Sequence, residues 1–179
     1  MRRFSIIFMM VLGMFSCNKG KHNPEACNGD TRRELKVMID SKAGDVNFVS
    51  DTTTITELGK LSVPEVKSET PRQAVEMQLY TVTAKVDKVK KEHDGDYHIR
   101  LMEGENYLIA ESANPGCSYA QRSAFLMYYK EVRDFIENNE LEGKMVTITG
   151  VAFVDIDHHY KRKQAPNNME LHPIIAISF

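Results

Sequence analysis

The sequence predicts a mainly β fold: a five-stranded barrel with one helix, in the order β-β-β-α-β-β, preceded by an N-terminal wrapping extension. Three observations carry this. From residue 76 onward, apolar and polar residues alternate over several stretches, the period of a strand with one face buried. One run at helical spacing interrupts them after the third stretch. The composition, 42% hydrophobic and 27% charged, is that of a globular chain and not of a disordered or fibrous one.

Residues 28–75 are polar and rich in Thr and Ser, with too few apolar residues for a core of their own. Within them Val46 to Val49 reads as a short strand. Thr54 and Glu57 have capping-box spacing before Leu58 and Leu61, and Pro64 and Pro71 bracket a loop. The first barrel strand follows, with Tyr80, Val82, Ala84 and Val86 on one face and Thr81, Thr83, Lys85 and Asp87 on the other. The alternation breaks at Val89, which predicts a bulge or bend near Lys88. Asp94-Gly95 supplies a hairpin turn, and Tyr97, Ile99 and Leu101 mark the second strand, with His98 and Arg100 opposite. A turn at Glu103 to Asn106 leads to a third strand from Tyr107 to Glu111.

Asn114-Pro115-Gly116 ends that strand, and Ser118 with Gln121 has capping-box spacing. Phe125, Tyr128, Tyr129, Val132, Phe135 and Ile136 then form one apolar helical stripe, with Gly143 as a stop after Leu141. A fourth strand runs from Met145 to Ile156. A polar loop from Asp157 to Asn168 follows, and a last strand spans Met169 to Phe179. Three strands, a helix and two strands is the order of an OB-fold, whose bent first strand closes the barrel. An open α+β sheet with one helix across it is the competing arrangement.

The N-terminus speaks to compartment. Arg2 and Arg3 precede a short apolar run from Ile6 to Leu12, and Ser16 stands before Cys17. This is a secretory signal whose core is too short to span a bilayer, and it resembles a bacterial lipoprotein signal in which Cys17 is lipidated. A plain signal peptide cut nearby is the alternative. The expected organisation is a signal peptide over 1–16, a lipid-anchored tether over 17–26, an extension over 27–75 and the barrel domain over 76–179. The expected location is exported and lipid-anchored to the bacterial membrane, periplasmic or surface-facing. Loss of residues 1–16 leaves 21 basic and 25 acidic residues, a formal charge of −4. That balance argues against a duplex nucleic-acid partner, which calls for a basic face. The expected partners are therefore the membrane, through the lipid anchor, and an unknown small or polymeric ligand.

If Cys17 carries lipid, Cys27 and Cys117 remain as an even pair in an oxidising compartment. A bridge between them closes a loop of about 90 residues, worth ~4 kcal/mol in the chain-entropy model. Two free or buried thiols are the alternative.

The OB-fold order places the loops joining strands one to two and four to five beside the ligand face. The first loop holds His93, Asp94 and Asp96 and leads into His98; the second holds Asp155, Asp157, His158, His159 and the basic run Lys161-Arg162-Lys163. Candidate ligand-binding residues are Asp96, His98, Glu111, His158, His159, Asn167, Glu170 and His172. Imidazole with carboxylate suits a divalent transition ion, with His98, His159 and His172 as the candidate ligands, although the metal-ligand spacing of a motif such as HExxH is absent. No other cofactor is expected. Asp, His and Glu could also act as general acid and base, but no nucleophile elbow accompanies them. The bland alternative is that these residues brace loops.

Several blocks resemble a family of uncharacterised secreted bacterial proteins. They are Leu35-Lys36-Val37 with Asp40, Thr52 to Ile55, Tyr80 to Ala84, Asp94-Gly95-Asp96-Tyr97-His98 and Ile109-Ala110-Glu111. Pro115 and Cys117, Thr149-Gly150-Val151-Ala152-Phe153-Val154-Asp155, Ala165-Pro166-Asn167 and Glu170-Leu171-His172-Pro173-Ile174 complete the pattern. The resemblance covers about residues 27–179. It implies an OB-fold-like domain, supports pairing of Cys27 with Cys117, and singles out Asp96, His98, Glu111, Asn167, Glu170 and His172 as the matched polar positions. The family pattern has one His followed by Gly-Gln in the second loop, where this chain has His158-His159-Tyr160-Lys161. It implies no particular activity. The expected function is a lipid-anchored envelope protein acting as a non-enzymatic binding domain for an anionic or polymeric ligand. A metal-assisted hydrolase using Asp96, His98, Glu170 and His172, and a structural envelope protein, are the alternatives.

Overall fold

The computed structural model describes Cys27, residues 32–157 and residues 163–179. The expected signal segment, Cys17, His158, His159 and the Lys161-Arg162 pair lie outside the described residues. Among the described residues there are six strands: β1 (Asn47–Thr53), β2 (Gln78–Lys91), β3 (Tyr97–Glu103), β4 (Asn106–Ser112), β5 (Met145–Val154) and β6 (Met169–Ser178). Four α-helices accompany them, α1 (Arg33–Lys36), α2 (Ile55–Leu58), α3 (Ser118–Gln121) and α4 (Leu126–Asn138), with 3-10 turns at Ala43–Asp45 and Ala74–Glu76.

The sheet order is β1-β2-β3-β4-β6-β5, and β5 pairs back onto β2 from Leu79↔Val151 to Lys85↔Met145. Strands β2 to β6 therefore close into a barrel, which excludes the open sheet. With α4 between the third and fourth barrel strands, the architecture is an OB-fold. Closure depends on β2, which is 14 residues long and serves two neighbours in turn. Its first half lies along β5 and its second half along β3. The register slips between Val86 and Lys88, leaving Asp87 as the extra residue, where the broken alternation places it. A bulge adds the local bend and twist that a small barrel needs.

The alternation decides what fills the barrel. Val82, Ala84, Val86, Ile99, Leu101, Leu108, Ala110, Val146, Ile148 and Leu171 point inward and are almost wholly shielded from solvent. Each fully buried Leu or Ile contributes about 1.5–3 kcal/mol relative to exposure. Helix α4 adds Val132 and Ile136 to this core, and α2 adds Ile55 and Leu58. Helix α2 starts as its capping spacing predicts, with the Glu57 N–H donating to Thr54 Oγ1 at 3.1 Å. Gly150 of β5 is a close-approach position, since a Cβ there would stand 2.9 Å from Leu171 Cβ and 3.2 Å from the Pro173 carbonyl. Gly150→Ala is expected to destabilise the chain by about 1–3 kcal/mol through overpacking, read as a lower urea midpoint at unchanged slope. An unchanged midpoint would contradict this packing.

Several elements differ from the sequence reading: α1 is not marked in it, and Ser118 and Gln121 form a separate short helix, α3, with Cys117 at its N-cap position and no side-chain cap. Helix α4 ends at Asn138, short of Leu141. The Asn138 and Asn139 side-chain amides donate to the carbonyls of Asp134 and Phe135 at 2.7 and 2.8 Å, so the last turn is closed by side chains. Gly143, at φ +82°, belongs to a separate turn whose N–H donates to the Val86 carbonyl. Strand β1 runs to Thr53, longer than Val46 to Val49, and pairs in parallel with β2 outside the barrel. Its polar sequence carries little alternation to mark its limits.

Ahead of β1, residues 32–46 form an arm against the outside of the barrel. Met38, Ala43 and Val46 pack with Leu79 and Val151, and Val37 packs with Ala113, Cys117, Ala120 and Tyr129. Tyr129 donates its hydroxyl to the Val37 carbonyl at 3.1 Å, and Arg72 pairs with Asp40 at 2.7 Å. Cys27 and Cys117 form the disulfide, spanning 90 residues.

Candidate functional site

The pairing of β3 with β4 sets His98 opposite Glu111, and the parallel pairing of β4 with β6 sets Ala110 beside Leu171. Successive side chains point to opposite faces of a strand. Ile99, Ala110 and Leu171 enter the core, so His98, Glu111, Glu170 and His172 share the outer face. Asp96 joins them from the β2–β3 turn. Its Oδ1 accepts the Asn114 N–H at 2.6 Å, and its Oδ2 accepts Arg33 Nη1 at 2.7 Å. Asp94 Oδ2 takes the second Arg33 nitrogen at 3.0 Å.

Glu111 lies at the centre. His98 Nδ1 is 2.9 Å from Oε1, and His172 Nδ1 is 3.1 Å from Oε2. On the far side of its ring, His172 Nε2 is 3.7 Å from Asp96 Oδ2. His172 is wholly buried, whereas the side chains of His98 and Glu111 keep 22% and 14% of their exposure. These two form the mouth of the cluster. Phe153 of β5 packs against the His172 ring at 5.6 Å, with Arg32 Cζ and Lys36 Nζ over its own ring at 5.0 and 5.4 Å.

Burial and partners pull the titrating groups in opposite directions. Burial raises the Asp96 carboxyl above the usual range, and Arg33 only partly offsets it. Burial acts on Glu111 in the same sense, but the imidazoles of His172 and His98 against its two oxygens and the charge of Lys36 outweigh it and hold the carboxyl well below the usual range. Burial would strip the proton from Lys36, yet Glu111, Glu170, Asp155 and Asp96 together raise its pKa above the ordinary value. Asp96 closes one connector and Asp155 opens the other, so both connectors bring charge to Lys36.

Of the residues expected at the site, Asp96, His98, Glu111, Glu170 and His172 are brought to one face, and His158 and His159 lie outside the described residues. Asn167 is elsewhere: its amide donates to the Leu58 and Leu61 carbonyls at 2.8 and 3.0 Å, and its Oδ1 accepts the Met169 N–H, bracing the connector. His98 and His172 do not meet ring to ring, because each faces a different oxygen of Glu111. Among the described residues, the group able to hold a metal is Asp96, Glu111 and His172, with one ligand atom from each within 4.8 Å of the others. Sequence reasoning placed none of Arg32, Arg33 and Lys36 of the arm at the site, Lys36 entering only within the Leu35-Lys36-Val37 block. No local signal marks them, since their partners Glu76, Asp96 and Glu111 lie 44 to 75 positions away.

Farther along the same face stands a second feature. Tyr107 of β4 is half-buried, with Lys163 Nζ 5.0 Å and Arg100 Cζ 6.0 Å from its ring centroid. Arg100 is also paired with Asp87. Lys163 is exposed and closes the basic run of the β5–β6 connector.

No protein-family model matches the sequence, and no curated protein matches it. Solved structures similar in fold include a protein described as an aspartyl-tRNA synthetase from Leishmania major Friedlin, at 15% identity and a TM-score of 0.48, over 78% of this chain and 22% of that one. They include the Entamoeba histolytica asparaginyl-tRNA synthetase, at 10% identity and a TM-score of 0.41, over 74% of this chain and 24% of that one. A second single-stranded DNA-binding protein from Mycobacterium smegmatis aligns at 12% identity and a TM-score of 0.35, over 56% of this chain and 82% of that one. The chain spans less than a quarter of either synthetase. These neighbours, two tRNA synthetases and a single-stranded DNA-binding protein by name, run against the expected partners, a membrane reached through a lipid anchor and no duplex nucleic acid. Net charge is a sum over the whole chain and does not locate its cations: Lys163 and Arg100 both stand beside the Tyr107 ring.

Proposed function

We propose that the chain is a non-enzymatic binding domain for a single-stranded, phosphate-bearing polymer, single-stranded nucleic acid in the first instance, held across the outer face of β3 and β4. The observation that carries this reading is Tyr107, an aromatic ring on the third barrel strand flanked by Lys163 and Arg100. An OB-fold binds oligonucleotides on this strand face, between these two connectors. Stacking of a base on an aromatic ring supplies about 1–3 kcal/mol without regard to sequence, and neighbouring cations track the phosphates. The disulfide supports an exported, oxidising location for this activity.

Fluorescence anisotropy with a labelled single-stranded oligonucleotide tests the reading. Binding is expected to weaken with rising salt, and Tyr107→Ala to reduce affinity roughly tenfold or more. Lys163→Ala should lower the salt slope by about one, uniformly across sequences. Saturable binding indifferent to both substitutions, or none at low salt, would refute the assignment.

A further inference from the structure

We propose that Asp96, Glu111 and His172 form a binding site for one divalent transition-metal cation on the outer face of the barrel, beneath the arm. The three come from the β2–β3 turn, β4 and β6, and barrel closure brings their ligand atoms within 4.8 Å of one another. Metal–nitrogen and metal–oxygen bonds of about 2.0–2.2 Å put two ligand atoms at most ~4.4 Å apart. Closing the set around an ion therefore asks only sub-ångström shifts. One imidazole with two carboxylates suits Zn²⁺, Mn²⁺ or Fe²⁺ better than Ca²⁺ or Mg²⁺, which favour all-oxygen sets.

Independent of the acidic pair, His172 itself points to a ligand. Its ring is wholly buried, and neither nitrogen makes a well-directed hydrogen bond, although Glu111 and Asp96 oxygens stand 3.1 and 3.7 Å away. Leaving a buried polar group so is costly, and coordination of one ring nitrogen removes that cost for it. The surroundings also match those of a metal site. His98 bonds the Glu111 oxygen opposite the one facing His172, and Arg33 and the Asn114 N–H fix Asp96, as outer partners fix ligating carboxylates. Each carboxylate oxygen keeps a further lone pair for the ion. The partly exposed edges of His98 and Glu111 give the ion its way in.

The experiment is a titration of the chelator-treated chain with Zn²⁺, followed by calorimetry, and with Co²⁺, followed by its visible absorption and by NMR. One equivalent per chain is expected, with Glu111→Gln and His172→Gln each weakening binding at least tenfold. His98→Gln should keep the stoichiometry and lose no more than about 10–100-fold. Because His172→Gln alters a buried position, the unsubstituted chain carries its own readout: Co²⁺ should shift or broaden the His172 ring protons before those of any other histidine. Absence of stoichiometric binding, wild-type affinity in both Gln variants, or paramagnetic effects centred elsewhere would each overturn the site. None of these readouts involves an oligonucleotide, so the outcome is independent of the strand-face proposal.

Discussion

Glu76→Ala should be the most damaging single substitution in the arm-to-barrel junction, lowering stability by about 3–5 kcal/mol. Glu76 is wholly shielded, and its carboxylate accepts four hydrogen bonds. Oε1 takes Arg32 Nη1 and the Val154 N–H, both at 2.9 Å; Oε2 takes Arg32 Nη2 at 2.6 Å and the Gln73 N–H at 2.7 Å. The Arg32 side chain is itself 1% exposed. Removing the acid leaves a guanidinium in a site that water does not reach, and the loss of an uncompensated buried charge's partner dominates the effect. Glu57→Ala provides the contrast: its pair with Lys60 stands in solvent, and exposed pairs contribute about 0–1 kcal/mol. Urea denaturation of the two variants should separate them by several-fold in free energy. Equal, small losses would show that the arm is not fastened through Glu76.

Reduction of the disulfide should be nearly as costly. Cys27 and Cys117 close a 90-residue loop, and the chain-entropy model puts such a cross-link at ~4 kcal/mol. The bridge ties Cys27, ahead of the arm, to the segment after β4, beside the turn that holds Asp94 and Asp96. Cys27→Ser with Cys117→Ser, or wild type under reductant, should melt well below the oxidised chain. Alkylation of the unreduced chain should label neither cysteine. An unchanged melting temperature under full reduction would mean that the arm's other contacts alone hold it.

How much of this was legible in the sequence follows from the range of each interaction. Strands β2 and β3 were legible because burial of one face leaves a period-two pattern, as in Val82, Ala84 and Val86, whereas β4 to β6, buried on both faces over part of their length, were legible as apolar runs. The Asp87 bulge was legible because it breaks that period. Strand β1 was marked only in part, since Asn47 to Thr53 lies outside the barrel and is mostly exposed. The end of α4 was misplaced because Asn138 and Asn139 close it with their own amides, while Gly143 serves another turn. At the site, His98, Glu111 and His172 carried a sequence signal as polar residues in strands whose neighbours are core. Arg33 and Lys36 carried none: a four-residue helix has no periodicity, and only the closed barrel brings their carboxylates near.

The central claim is that the outer face of β3 and β4 holds a single-stranded ligand, and mapping amide shifts during titration with a single-stranded oligonucleotide tests it most directly. Saturable shifts concentrated in residues 97–103 and 106–112, largest around Arg100 and Tyr107, with Lys163 included, are the predicted result. Shifts confined to the far side of the barrel, around α4 and β1, or none at saturating ligand, would contradict it.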